Sequence, residues 1–385
     1  MPLKLGILAG EASGDNLAAG LMAQLRRQAP HGEDIEFIGV GGPRMLALGL
    51  RPLASMDRLS VNGFREPLMR LPELLGLLRR LAREIAAADV DAFIGVDFNV
   101  FNFLLEAALK KRGVRTVHYV SPSVYAWRSG RTRRVAKSAD MLLCLYPFEP
   151  AFYRDTSVEA VFVGHPLADA IGPEAGDEPA RQAVREALGL RGEATVLAIL
   201  PGSRSSEVGL MIDSFVAAAK RFLVLHPQAQ IVIPCLRPVL RAKVEEALRA
   251  YPQLPVTLYD GDARQALVAC DIALVKSGTS TLEAMLLSRP MVVSYRLGRL
   301  SYHFARWVLR TPYVALPNIL SSSQLVPELL QDEATGAALA ESLHEQLQRA
   351  HAEGDYFEPF HALQRELRQS ADEKAAAAVL RLLGS

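Results

Sequence analysis

Two short segments in the second half of the chain carry residue types that hold phosphate. The first is Ser277-Gly278-Thr279-Ser280-Thr281, between an apolar run and a helical pattern. Small hydroxyls, a glycine and the free N–H groups of a helix start make a neutral phosphate cradle. An ordinary cap needs one such residue, whereas here four hydroxyls fall within five positions. Glu283, one turn further on, is placed to accept hydrogen bonds from a ribose. The second segment is Gly202-Ser203-Arg204, where an arginine after a glycine turn brings a planar cation to a diphosphate leaving group. Neither segment has the Walker lysine spacing, which argues against ATP hydrolysis.

The first half offers carboxylates and histidines. Asp97 ends an apolar run, where it either takes a proton from an acceptor hydroxyl or caps the next helix; spacing does not separate the two. Gly10-Glu11-Ala12-Ser13-Gly14-Asp15 follows a strand and opens a helix, as a ligand-binding turn does. Its glycine spacing is not the dinucleotide fingerprint, and Glu11 and Asp15 sit poorly against a pyrophosphate. His118 reads as a core histidine, and His165 as either a core residue or a phosphate ligand. No His, Asp or Glu cluster has metal-ligand spacing, so no metal is expected, and no Gly-x-Ser-x-Gly elbow is present for hydrolase chemistry.

These residues need a scaffold. Apolar runs at residues 5–9, 90–96, 114–120, 141–145, 195–200, 230–234, 256–259, 271–275 and 291–295 read as buried strands. Polar or aromatic residues follow many of them, and open α/β sheets bind ligands at that edge. Helical patterns lie between them, and residues 313–316 lead into Pro317-Asn318. A Gly-, Glu-, Pro- and Ala-rich stretch after residue 171 interrupts the pattern. It divides the chain into an N-terminal domain (1–168), a second domain (169–345) and a helical segment (346–385). A length of 385 residues suffices for two cores. With 43 basic and 42 acidic residues, no uniform field attracts nucleic acid. Cys144, Cys235 and Cys270 are scattered in apolar runs, as buried thiols of a reducing compartment are. No signal peptide or membrane span is expected.

One region departs from a plain α/β pattern. Leu68, Leu71, Leu75 and Leu78 form a helical stripe, widened by Met69, Leu74 and Leu77 and interleaved with arginines. The pattern alone favours a core helix with a solvated basic face over a helix lying on an anionic membrane.

Ala9-Gly-Glu-Ala-Ser-Gly-Asp15, Gly39-Val-Gly-Gly-Pro-Arg-Met45, His118-Tyr-Val-Ser-Pro-Ser-Val-Tyr-Ala-Trp-Arg128 and Leu200-Pro-Gly-Ser-Arg-Ser-Ser-Glu-Val208 together resemble the bacterial lipid-A-disaccharide synthases. Ser277-Gly-Thr279, Leu282-Glu283, Met291-Val-Val-Ser-Tyr-Arg296, Leu316-Pro-Asn318 and Pro327-Glu-Leu-Leu-Gln331 extend the resemblance nearly end to end. It implies a GT-B glycosyltransferase: two Rossmann-like doubly wound α/β domains facing a cleft, with a C-terminal helix crossing back. The implied reaction joins UDP-2,3-diacylglucosamine to 2,3-diacylglucosamine 1-phosphate (lipid X). It gives a β-1,6 disaccharide 1-phosphate and UDP, by inversion and without metal or cofactor.

The resemblance assigns UDP-sugar binding to Gly14, Ser203, Arg204, Ser277, Gly278, Thr279, Ser280, Thr281, Glu283 and Asn318. Asp97 becomes the candidate base and Glu11 its reserve, while Glu11 and Asp15 orient sugar hydroxyls or neighbouring loops. The implied location is the cytoplasmic face of the inner membrane, so the Leu68–Leu78 stripe becomes an acyl-chain or membrane contact. A homodimer exchanging the C-terminal segment is also implied. One departure stands out. Where the family has a second aspartate after the strand, an ungapped alignment places Val100 here. A gapped alignment instead places Asp97-Phe98-Asn99 on the family's Asp-Phe-Asn, and either way one carboxylate survives. That loss keeps open a catalytically silent nucleotide-sugar or lipid-binding protein. A soluble UDP-sugar transferase or epimerase is the second enzyme reading, which the Leu68 region discriminates.

Overall fold

The computed structural model describes residues 3–29, 35–59, 70–123, 130–298 and 311–384. The apolar runs form parallel strands, as runs covered by helices on both faces do. In the first unit these are β1 (Lys4–Ala9), β2 (Glu36–Val40), β3 (Leu50–Pro52), β4 (Ala92–Val96), β5 (Arg115–Tyr119), β6 (Met141–Cys144) and β7 (Glu159–Phe162). They pair in the order β3-β2-β1-β4-β5-β6-β7. In the second unit, β8 (Val196–Leu200), β9 (Gln230–Pro234), β10 (Val256–Tyr259), β11 (Ile272–Lys276), β12 (Met291–Tyr295) and β13 (Glu328–Leu330) pair in the order β10-β9-β8-β11-β12-β13.

Alternation along each strand sends side chains to opposite cores. On β1, Leu5, Ile7 and Ala9 meet Leu21, Met22 and Leu25 of the helix Ala12–Gln28. Leu8 turns the other way, towards Leu77, Leu81 and Ile85 of the helix Leu71–Ala87 and Leu105 and Leu109 of the helix Asn99–Lys110. In the second unit, Leu197 and Ile199 of β8 pack with Phe215 of the helix Ser205–Leu225 and Leu343 of the helix Gly336–Ala352.

The chain divides into 1–169 with 367–385, and 170–366. The returning segment therefore starts at 367, not at 346, because the helix Gly336–Ala352 packs on the helix Ser205–Leu225 of the second unit. The final helix, Ala371–Leu383, buries Ala375, Ala376, Val379 and Leu380 in the core around β1. Burial of this face needs no exchange between copies. Residues 313–315 are not a strand; the short helix Leu316–Ser321 follows, and β13 comes later.

Candidate active site

Each sheet has one place where strand order reverses direction, and ligands of open α/β sheets bind outside the carboxyl ends there. In the first sheet it lies between β1 and β4, and in the second between β8 and β11. Gly10 and Asp97 follow the first pair. Gly202-Ser203-Arg204 and Ser277 to Thr281 follow the second.

At the first switch point β4 ends in two left-handed residues, Asp97 (φ 49°) and Phe98 (φ 46°). Non-glycine residues there cost of order 1–3 kcal/mol each and persist only where surroundings enforce them. Three features enforce them. The Asp97 N–H donates to the Tyr119 carbonyl at 2.8 Å. Asn102 Nδ2 donates to the carbonyls of Val96 and Asp97, at 3.3 and 2.8 Å. The Phe98 ring lies over Gly10, where a Cβ would come within 2.5 Å of it. Phe98, not Asp97, is the N-cap of the helix Asn99–Lys110 and offers no side-chain cap, which removes the capping reading of Asp97. The half-buried Asp97 carboxylate accepts only a 3.4 Å hydrogen bond from Asn99 Nδ2 among the described contacts. Val100, at the departure from the family pattern, is 73% exposed.

Behind Asp97 lies a buried pair that the sequence reading missed. Glu106 and His118 are both fully buried, with Oε1 and Nδ1 2.6 Å apart. His118 faces Gly95 in the strand register, and a Cβ on Gly95 would lie 2.1 Å from Glu106 Oε1. The glycine in β4 makes room for this carboxyl. A glutamate at the end of the mostly apolar run Phe101-Asn102-Phe103-Leu104-Leu105 was the available signal.

At the second switch point Gly202 (φ 124°) turns the chain so that its Cα sits against Glu207; a Cβ would lie 2.9 Å from Glu207 Cβ and Oε2. Glu207 then accepts from the N–H groups of Ser203 and Arg204, at 3.2 and 3.3 Å. Lys276, at the end of β11, approaches its Oε1 at 3.1 Å and ties the two loops together. Burial pushes the Glu207 carboxyl up, but Lys276 and Arg204 outweigh it and leave it below the usual range. Arg204 is 70% exposed at its side chain, and Arg237 donates to the Ser203 carbonyl. Two cations, Lys276 and Arg204, thus face the Glu207 carboxylate, and a third, Arg237, lies against the neighbouring Ser203 carbonyl. Lys276 and Arg237 were not among the residues assigned from sequence.

Helix Thr279–Leu286 starts from Gly278 without a side-chain cap. The Ser277 hydroxyl donates to the Val314 carbonyl at 2.7 Å, and the buried Thr281 hydroxyl to the Gly278 carbonyl at 2.8 Å. Those two hydroxyls therefore shape the loop. Thr279 is exposed and Ser280 half-buried, and their N–H groups have no acceptor among the described contacts. Glu283 pairs with Arg264 at 3.5 Å, and burial raises its carboxyl against that pairing.

The family described as "Lipid-A-disaccharide synthetase" matches residues 5–379. The chain belongs to that family. It is 47% identical over 381 residues to the lipid-A-disaccharide synthase of Pseudomonas aeruginosa (strain LESB58), covering 99% of this chain and 98% of the relative. The Azotobacter vinelandii lipid-A-disaccharide synthase is 48% identical over 382 residues, with 99% and 98% covered. Two solved structures share the fold. One is UDP-GlcNAc 2-epimerase from Neisseria meningitidis bound to UDP-GlcNAc (TM-score 0.65, 13% identity, 99% of each chain). The other is Acinetobacter baumannii MurG (TM-score 0.57, 13% identity, 100% of this chain and 99% of that one). The architecture is the GT-B type, two parallel-sheet α/β units in succession.

Several site assignments change on this scaffold. Gly14 is buried, with a Cβ there 3.3 Å from Ala9 Cβ and the Val96 carbonyl, so it lets helix and sheet approach rather than a donor. Asp15 is also buried and accepts from the N–H groups of Gly42, Arg44 and Met45, at 2.8, 3.0 and 3.1 Å. It orients a neighbouring loop, not a sugar. Glu11 is exposed, and its side chain caps nothing. Asn318 is fully buried and saturated: Nδ2 donates to the Val326 carbonyl and Glu328, and Oδ1 accepts from Leu325 and Val326. With both donors and both lone pairs used, its side chain offers no free hydrogen-bonding group to UDP here, and it shapes the turn instead. His165 is buried, accepts from the Leu167 N–H at 3.2 Å, and is pushed down to about 4 by burial, so it is a neutral core residue.

The leucine stripe splits. Leu77 is 3% exposed in the core, and Leu74 and Leu78 pack against that core. Leu71 (51% exposed) and Leu75 (37%) remain on the surface. Leu68 and Met69 lie outside the described residues. No described helix is long and apolar enough to cross a membrane.

Proposed function

We propose that this chain condenses UDP-2,3-diacylglucosamine with 2,3-diacylglucosamine 1-phosphate, giving the β-1,6 disaccharide 1-phosphate and UDP. Membership of the family supports the reaction, and the cation-rich loops at the β8/β11 switch point carry the reading of where UDP binds. The free N–H groups of Thr279 and Ser280 and the cations of Arg204, Lys276 and Arg237 suit a diphosphate. They supply the positive charge a leaving diphosphate needs, so the proposal includes no metal. Glu283 serves the ribose.

Asp97 takes the proton of the acceptor 6-hydroxyl. That oxygen attacks the anomeric carbon from the face opposite the diphosphate, and the bond from that carbon to the UDP oxygen breaks. The configuration inverts, and UDP departs with the bonding electrons onto the cationic loops. Strain at Asp97 and Phe98 supports a working carboxylate there, because such backbone clusters at functional sites. Acylated substrates require access from a membrane surface. The exposed Leu71 and Leu75 support contact with the cytoplasmic face of the inner membrane.

Purified protein incubated with both acyl-sugars tests this directly. The expected result is equimolar UDP and disaccharide. Absence of UDP release would overturn the assignment of activity. Asp97→Ala with wild-type turnover would overturn only the choice of base, and Glu11→Ala would then be the next variant.

A further inference from the structure

We propose that Asn99, His118 and Glu106 form a positioning chain that holds the Asp97 carboxylate in its working orientation. The inference rests on the reading of Asp97 as the base. The chain runs from half-buried to fully buried. Asn99 Nδ2 donates to Asp97 Oδ1 at 3.4 Å. Asn99 Oδ1 lies 3.2 Å from His118 Nε2, and His118 Nδ1 lies 2.6 Å from Glu106 Oε1.

Proton inventory gives the chain one direction. An ionised Asp97 only accepts, so the Asn99 amide must present its NH2. The Asn99 oxygen then faces His118 and requires an N–H at Nε2. His118 Nδ1 and Glu106 share the remaining proton, and the pair is neutral overall wherever that proton sits. A buried carboxyl is costly unless it is paired, and Glu106 Oε2 finds no partner among the described residues. The carboxyl therefore addresses His118 alone among them.

The backbone is arranged around the same groups. Gly95 leaves the space that Glu106 occupies, and it is the register partner of His118. Phe103 lies against the imidazole with ring centroids 4.3 Å apart. Asn99 and Glu106 project from one helix, and that helix begins directly after the strained pair Asp97-Phe98. Any buried histidine needs partners on its nitrogens; what singles this one out is that its outer partner, Asn99, also reaches the Asp97 carboxylate. The long Asn99 to Asp97 contact is of the kind that tightens when substrate arrives.

Asn99, His118 and Glu106 touch no reacting atom in this scheme, so they act on kcat through Asp97. The test measures kcat and acceptor KM for Asp97→Ala, Asn99→Ala, Glu106→Gln and the double variant Asp97→Ala/Asn99→Ala, each checked by thermal unfolding. Asp97→Ala is expected to lose at least 100-fold in kcat. Asn99→Ala and Glu106→Gln should lose about 10-fold, with KM within twofold. The double variant should be no slower than Asp97→Ala. Because Glu106→Gln risks misfolding, a second readout uses 15N-histidine-labelled protein. The His118 ring signals, assigned by their loss in His118→Gln, should move in Asp97→Asn.

Asn99→Ala with unchanged kcat, an additive double variant, or His118 signals indifferent to Asp97→Asn would each overturn the positioning chain. If Asp97→Ala keeps its turnover, the base reading fails instead. Collapse in Asp97→Ala beside normal Asn99→Ala condemns the chain alone.

Discussion

Glu149 is a buried carboxyl that makes stability depend on pH in a defined window. It is 1% exposed at the start of the 3-10 helix Glu149–Tyr153, and its Oε2 accepts from the Tyr146 N–H at 3.0 Å. Burial pushes it up to about 8; hydrogen bonds from the Tyr146 and Leu145 backbone and from Ser121 pull the other way. The folded state therefore binds a proton that the unfolded state releases near its ordinary value of 4.5. The associated stability is complete below pH 4.5 and is lost as pH rises through about 8.

Two other groups bound the useful range. His165, pushed down to about 4 from 6.5, makes stability rise with pH between those values and opposes Glu149 there. Asp372, raised to about 6 by burial and by Asp169, acts below that pH. Between pH 6.5 and 8 Glu149 acts without either. Each pH unit there is worth up to about 1.4 kcal/mol, so the loss approaches ~2 kcal/mol across that window. Glu149→Gln keeps an acceptor for the Tyr146 N–H and removes the titration. Urea unfolding of wild type and variant at half-unit steps should show the variant gaining on wild type by that amount from pH 6.5 to 8. Parallel pH profiles for the two proteins would refute the reasoning.

Three further outcomes follow from the geometry. Lys276→Ala removes the closer of the two cations paired with Glu207 and leaves Arg204 alone to offset it; calorimetry with UDP should show affinity lower by about 10- to 100-fold, the range of a charged hydrogen bond. Asp15→Ala strands three backbone N–H groups and should cost about 2–5 kcal/mol in chemical denaturation, while Asp15→Asn, which keeps an acceptor, should cost less. Gly95→Ala drives a methyl into Glu106 Oε1; beyond about 1–3 kcal/mol of overpacking in thermal unfolding, it should lower kcat, because the Glu106 to His118 contact must shift.

The strands were legible because a parallel strand buried on both faces is written as an unbroken apolar run, as at Leu5 to Ala9 or Val196 to Leu200. The family was legible too, since the residue types and spacing of its motifs are local. Edge strands β3 and β13 are three residues each, too short for any periodicity to show. What each polar residue does was not legible. Gly14, Asp15 and Asn318 look like ligand residues in a motif, yet a helix contact, a loop and a turn consume them. Leu77 looks like its neighbours in the stripe, but helix phase turns it inward. Glu106 looked like one more helix residue until pairing of β4 with β5 brought His118 opposite Gly95. Pairing order also placed both candidate loop sets at switch points, because a ligand edge depends on which strands are neighbours. Local chemistry is set by residue type, but a hydrogen-bonding group's role is set by whatever the fold brings within about 3 Å of it.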